Sequence, residues 1–189
     1  MEVTYSELLY SRYRSTFSNS AQDLSAAATT PSVSRTAADH QQCPAGPWDL
    51  IIKIVGAKGR RNQRRALAYN ASNIEGVCVF SGAASTLAKS STGALFEAMV
   101  AAGITARDRG FHLLFLTDSR NVVQVFKKEK VTDWLDSIRL ANLNSLKLQG
   151  LNCNVFCVHP LVVNAIRYVA KKATVLPVNT TWFNPAFCN

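Results

Sequence analysis

The chain has 189 residues, 21 Lys+Arg against 12 Asp+Glu, a formal net charge of +9, and 48% hydrophobic residues. That length suits one domain with room for a tail, and the apolar share supports a packed core and excludes full disorder. The longest apolar runs, such as Leu113–Leu116 and Leu161–Val163, fall far short of the roughly 18–20 residues of a membrane span. The excess of positive charge points to polyanionic partners.

In chain order, residues 1–47 come first and differ from the rest. Ser, Thr and Ala supply 20 of these 47 positions, Pro31, Pro44 and Pro47 interrupt them, and no apolar period persists. They are expected to form a disordered leader. Three arginines face four acids here, so the leader carries −1 and the remaining chain +10. No apolar signal segment occurs near Met1, so an intracellular protein, nuclear or cytoplasmic, is expected. The five cysteines form no CxxC pair, and Cys153 and Cys157, about 13 Å apart on one strand, are too distant for a disulfide. They are read as small core residues in a reducing compartment.

The folded domain is expected over residues 48–175, with a tail over 176–189. Asp49–Val55 is apolar and β-branched, hence a strand. Gly56–Arg65 is a basic turn, and Ala66–Ala71 and Gly76–Ala83 are two more strands of an antiparallel meander. Gly93–Arg109 then carries apolar residues at helical spacing (Leu95, Ala98, Met99, Ala102, Ala106), with Gly110 placed to stop the helix. His112–Leu116 is a short strand. Asn121–Lys130 is a helix, and Thr132 would cap another running to Leu148 with Leu135, Ile138, Leu143 and Leu146 buried. Asn152–Val158 is the last strand and Leu161–Lys172 the last helix. The order β-β-β-α-β-α-α-β-α predicts an α/β fold, a five-stranded mixed sheet with three antiparallel and two parallel strands flanked by helices. A right-handed crossover would set the fourth strand beside the first.

These strings resemble the plant reverse-transcriptase-like branch of type 1 ribonuclease H domains. Ile54-Val55-Gly56-Ala57 is similar to that branch's opening strand, which usually reads Val-Asp-Gly-Ala. Gly76–Ala84 is similar to its third strand, and Leu116-Thr117-Asp118-Ser119 to the end of its fourth. Ala98, Ala102 and Ala106 followed by Arg109-Gly110-Phe111 resemble its first helix. Phe156-Cys157-Val158 and Val169-Ala170-Lys171 resemble its last strand and helix. The resemblance spans residues 48–173.

It implies a retroelement-derived hydrolase that cuts the RNA strand of RNA–DNA hybrids with two Mg²⁺ ions, which need about four converging carboxylates. Asp118 fits the fourth-strand position. Val55 stands at the first-strand position and Arg167 at the last-helix position. Without gaps Leu95, not Glu97, falls at the first-helix position, since two helical residues turn the side chain about 200° away; a small shift would restore Glu97. Asp118 and Glu97 are therefore the candidate catalytic and metal-binding pair, with Mg²⁺ the cofactor if the protein is active. The plainer alternatives are a helix cap for Asp118 and a solvated helix face for Glu97. His159 lies where many members keep a mobile loop histidine. No P-loop spacing or zinc cluster offers other chemistry.

Lys58, Arg60, Arg61, Arg64 and Arg65 crowd the first turn, and Lys127, Lys128 and Lys130 precede Trp134, similar in character to the family's basic, Trp-containing handle. They are the candidate nucleic-acid contacts, through phosphates; a solvated basic surface is the alternative. The expected function is a monomeric nucleic-acid-binding domain with weak or absent hydrolysis. The alternatives are an active Mg²⁺-dependent hybrid ribonuclease and a protein-interaction module that keeps only the fold.

Overall fold

The structure is a computed structural model that describes residues 46–59, 64–107, 110–128, 131 and 133–177, and the backbone of 181–185. Nearly all of the expected leader, with Arg60, Arg61 and Lys130, lies outside the described residues.

Three strands open the fold: β1 (Leu50–Lys58), β2 (Arg65–Ser72) and β3 (Cys78–Thr86). They pair as an antiparallel meander in which Val55 faces Ala68 and Ala68 faces Ala83. The Asn73 side chain closes the second turn by accepting from Glu75 N and Val77 N, and Gly76 there takes φ +82. Helix α1 (Ser91–Arg107) follows, and all five apolar residues read from its spacing are buried. Gly110 adopts φ +66 beyond its end, the left-handed geometry that glycine reaches without a Cβ clash. Strand β4 (His112–Thr117) pairs parallel to β1, as the crossover rule requires.

Helices α2 (Arg120–Lys128) and α3 (Trp134–Leu148) come next, then β5 (Asn152–Cys157), parallel to β4. Asp133 caps α3, accepting from Leu135 N and Asp136 N, and Thr132, expected as the cap, lies outside the described residues. The buried stripe of α3 is Asp136, Leu140, Leu143 and Leu146, while Ile138 is 49% exposed. Leu143 and Leu146 are buried as expected, and only the first half of the stripe shifts, from Leu135 and Ile138 to Asp136 and Leu140, because a buried acid occupies a position that hydrophobicity alone leaves out. A 3₁₀ turn over Pro160–Val163 leads into α4 (Asn164–Ala173), so the expected last helix is split in two.

The five expected strands are joined by a sixth, β6 (Thr181–Pro185), giving the order β5-β4-β1-β2-β3-β6. It falls in the segment expected as a tail. Five residues ending in Pro show no alternating pattern, and Pro is tolerated because β6 is an edge strand.

The sheet is covered on both faces. Leu50, Ile52 and Ile54 of β1, with Tyr69, Phe115 and Val155, pack against Leu95, Phe96 and Met99 of α1 and the α3 leucines. Val55, Ala68 and Ala83 lie on the other face, where α4 brings Ile166, Val169, Ala170 and Ala173. Cys78, Cys153 and Cys157 are free. Burial pushes the Cys153 thiol up to about 11 despite nearby Lys147, as befits an unreactive packed cysteine.

Candidate functional site

The carboxyl ends of β1 and β4 bring together the positions that the sequence singled out. Lys53 pairs with Leu116, so continuing the register sets Val55 level with Asp118. Leu114 and Leu116 share the α4 face with Ile51 and Lys53, and Asp118 continues their alternation. From α4, the Arg167 guanidinium donates to Asp118 Oδ2 in an ion pair that leaves the two side chains 29% and 21% exposed. Leu95 is buried at 4% exposure, and a Cβ built on Gly56, next to Val55, would sit 3.7 Å from Leu95 Cγ. One carboxylate and one guanidinium thus pair on the α4 face, which Val55 shares, while Leu95 packs against β1 on the α1 face.

Asp118 does not cap α2. Ser119 does, its Oγ accepting from Val122 N at 3.4 Å, while Thr117 Oγ1 accepts from Ser119 N. His159 caps the 3₁₀ turn, its Nδ1 accepting from Leu161 N.

Glu97 is placed elsewhere. Its Oε1 accepts from Arg139 Nε at 2.6 Å, and Thr86 Oγ1 donates to its Oε2. Thr86 ends β3, three strands from β4, so about 14 Å of sheet separates the two carboxylates' anchors at about 4.8 Å per strand. They also lie on different faces, Glu97 toward α3 and Asp118 toward α4. The structure therefore does not bring Glu97 and Asp118 into a shared metal site. The reason is the helical phase: Leu95 takes the inner position and Glu97, two residues on, points to α3. Neither does Glu97 stand on a solvated face. It joins a network that sequence reasoning missed, in which Arg139 also bonds Asp136 Oδ1 at 3.3 Å and Ser90 Oγ donates to Asp136 Oδ2 at 2.5 Å. The polar Asp136 one turn before Leu140 was its only trace in the sequence.

Mg²⁺ is the metal that the resemblance implies. Hard divalent cations bind oxygen donors, and the one acid here is already engaged by a guanidinium, whose charge repels a cation. The residues present do not fit the metal. Among the described residues no group of three or more His, Cys, Asp or Glu side chains could hold one.

Of the basic candidates, Lys58, Lys127 and Lys128 are exposed. Arg65 is committed internally: its Nε donates to Lys89 O at 2.8 Å and NH1 to Ser91 Oγ at 2.9 Å, fixing the approach to α1. Arg64 NH1 reaches Leu176 O. The sequence cluster therefore mixes surface charge with fold-holding contacts. Trp134 is 69% exposed.

No protein-family model and no curated protein matches the chain. Solved structures do. Ribonuclease H1 from the halophilic archaeon Halobacterium salinarum is 19% identical with a TM-score of 0.58, over 66% of this chain and 96% of its own. LC11 ribonuclease H1 in complex with an RNA/DNA hybrid is 14% identical with a TM-score of 0.60, over 66% and 96%. The fold is ribonuclease H-like. A foamy viral protease-reverse transcriptase solved with dsDNA shares it at 14% identity and a TM-score of 0.55, over 71% and 99%. Within this ribonuclease H-like fold, no helix among the described residues is long and apolar enough to cross a membrane.

Proposed function

We propose that the chain is a nucleic-acid-binding ribonuclease H-like domain, retroelement-derived and of the plant reverse-transcriptase-like branch, that has lost its metal-dependent hydrolysis. The observation that carries this reading is the ion pair of Arg167 with Asp118, on the face and at the level of Val55. Three of the four positions where the resemblance puts carboxylates hold side chains that cannot ligate a cation, and one of them neutralises the fourth. Glu97 is not available as a replacement, because Arg139 and Thr86 hold its carboxylate on the other face.

The binding half rests on the fold and on charge. One neighbour of this fold was solved with an RNA/DNA hybrid and another with dsDNA, which favours a duplex ligand here. Lys58, Lys127 and Lys128 are exposed cations suited to phosphates, and Arg60, Arg61, Arg64 and Lys130 complete the proposed set, from which Arg65 drops out because Lys89 O and Ser91 Oγ hold it. Each phosphate contact steepens the fall of log K with log salt by about 0.9 through counterion release.

Fluorescence anisotropy of an RNA/DNA hybrid tests the reading over a salt series. Binding should weaken linearly on the logarithmic scale, stay unchanged in EDTA, and lose about 0.9 of slope for each of Lys58, Lys127 and Lys128 changed to Ala. Absence of binding at low salt would overturn the reading. It would favour a protein-interaction module instead, for which the 69% exposed Trp134 and 49% exposed Ile138, four residues apart on α3, would be the contact face.

A further inference from the structure

Beside the Asp118–Arg167 pair a crevice of about 540 Å³ opens between the ends of β4 and β5. Its position follows from the topology. Strand β4 leads into α2, which packs toward α1 and β5, while β5 leads through the 3₁₀ turn into α4 on the opposite face. Two neighbouring parallel strands whose connections leave to opposite faces create a gap beyond their carboxyl ends, and open α/β sheets bind ligands there. The volume lies within the range of small-molecule pockets.

The lining sets the ligand's chemistry. Arg120 is exposed at the start of α2 and makes no hydrogen bond or ion pair with the described residues, so its guanidinium is available. Gln124, one turn on, offers a carboxamide. In the neutral His159 ring Nδ1 accepts from Leu161 N, which leaves the proton on Nε2 as a donor. Asp118 also lines the crevice, but Arg167 balances its charge, so Arg120 leaves the lining net positive. Val123, Val158 and Pro160 supply an apolar wall. Cation, amide and ring donor beside an apolar wall suit an anionic group joined to a flat apolar one.

The geometry points to a metal-free mononucleotide pocket, with Arg120 on the phosphate, Gln124 on a base edge, and the base against Val123, Val158 and Pro160. In a bound strand it would take one unpaired nucleotide. The inference rests on the nucleic-acid-binding reading for its choice of a nucleotide as the anion. It assigns contacts that the basic surface does not make.

The test is an amide-shift NMR titration of the full ¹⁵N-labelled chain with AMP and, separately, with inorganic phosphate. AMP should give saturable shifts at Arg120, Val123 and Val158 and bind more tightly than phosphate. Arg120→Ala should weaken AMP about tenfold, the loss of one charge-assisted contact, and Gln124→Ala should weaken it less. Both sites are exposed, and the unliganded spectrum confirms each variant's fold. Unchanged AMP affinity in Arg120→Ala would overturn the proposal. So would shifts confined to Lys58, Lys127 and Lys128, or phosphate binding as tightly as AMP. Hybrid anisotropy on the same samples separates the two readings: hybrid binding without AMP in the crevice sinks only the pocket, while AMP in the crevice without hybrid binding supports the pocket and sinks only the duplex reading.

Discussion

Two arginine–carboxylate sites lie on opposite faces of the same sheet, and they differ in what they hold. On the α3 face, Arg139 bridges Glu97 and Asp136, and through Thr86 and Ser90 the network ties the end of β3 and the approach to α1 to helix α3. Asp136 is buried here, at 6% side-chain exposure, while Arg139 is 15% and Glu97 31% exposed. On the α4 face, Arg167 meets Asp118 alone, at the mouth of a crevice, with the two side chains 29% and 21% exposed and no buried second carboxylate. The first site holds the fold together. The second occupies the place where the resemblance expects metal ligands. An acid at a suggestive sequence distance is therefore not yet a ligand: Glu97 and Asp118 are 21 residues apart, close to the expected spacing, and face different partners.

That contrast can be broken by mutation. Arg139→Ala should be the most damaging change, because it strands the buried Asp136 carboxylate. A loss of about 3–5 kcal/mol is expected in urea unfolding; a loss below about 1 kcal/mol would show that the network is not structural. Gly82→Ala comes next. A Cβ at Gly82 would lie 2.4 Å from the Tyr69 ring that crosses it, so about 1–3 kcal/mol should be lost through overpacking, read from the same denaturation curves. Arg167→Met should change stability by about 1 kcal/mol or less, since its pair is partly solvated. A larger loss would make the second site structural too, and erase the contrast.

The smallest effect lies at the opposite end of β1. Asp49 accepts from His112 N at 2.7 Å and from its ring, and the backbone bond is the main cause holding its carboxyl below the usual value. A group whose pKa is lowered on folding adds stability above its unfolded value, near 3.9, and loses it as pH falls through the folded value. Asp49→Asn should therefore flatten the acid limb of stability below about pH 4. An unaltered acid limb would contradict the bond's role.

Much of the fold was legible in the sequence, because periodicity reports burial directly. The α1 stripe of Leu95, Ala98, Met99, Ala102 and Ala106 is buried as its spacing predicts, and the β1–β4 pairing follows from the handedness of crossovers. Of the α3 stripe, Leu143 and Leu146 are buried as read, and the first half was misread because Asp136 is buried by its partners and not by its own hydrophobicity. Strand β6 escaped because five residues with a proline carry no period. At the site, aligning strings was enough to mark Val55, Leu95 and Arg167 as departures. Only the three-dimensional arrangement pairs Arg167 with Asp118 and gives Glu97 to Arg139. The internal use of Arg65 was equally hidden, since a basic cluster in a turn looks the same whether its side chains face phosphate or the carbonyl of Lys89.

The central claim, that an internal ion pair replaces the metal site, meets its most direct test in hybrid hydrolysis. The full chain would be incubated with an end-labelled RNA/DNA hybrid across a titration of Mg²⁺ and of Mn²⁺, beside Asp118→Asn. The account predicts no RNA cleavage by the unaltered chain above the Asp118→Asn background at any metal concentration. Metal-dependent cleavage that disappears in Asp118→Asn would contradict it.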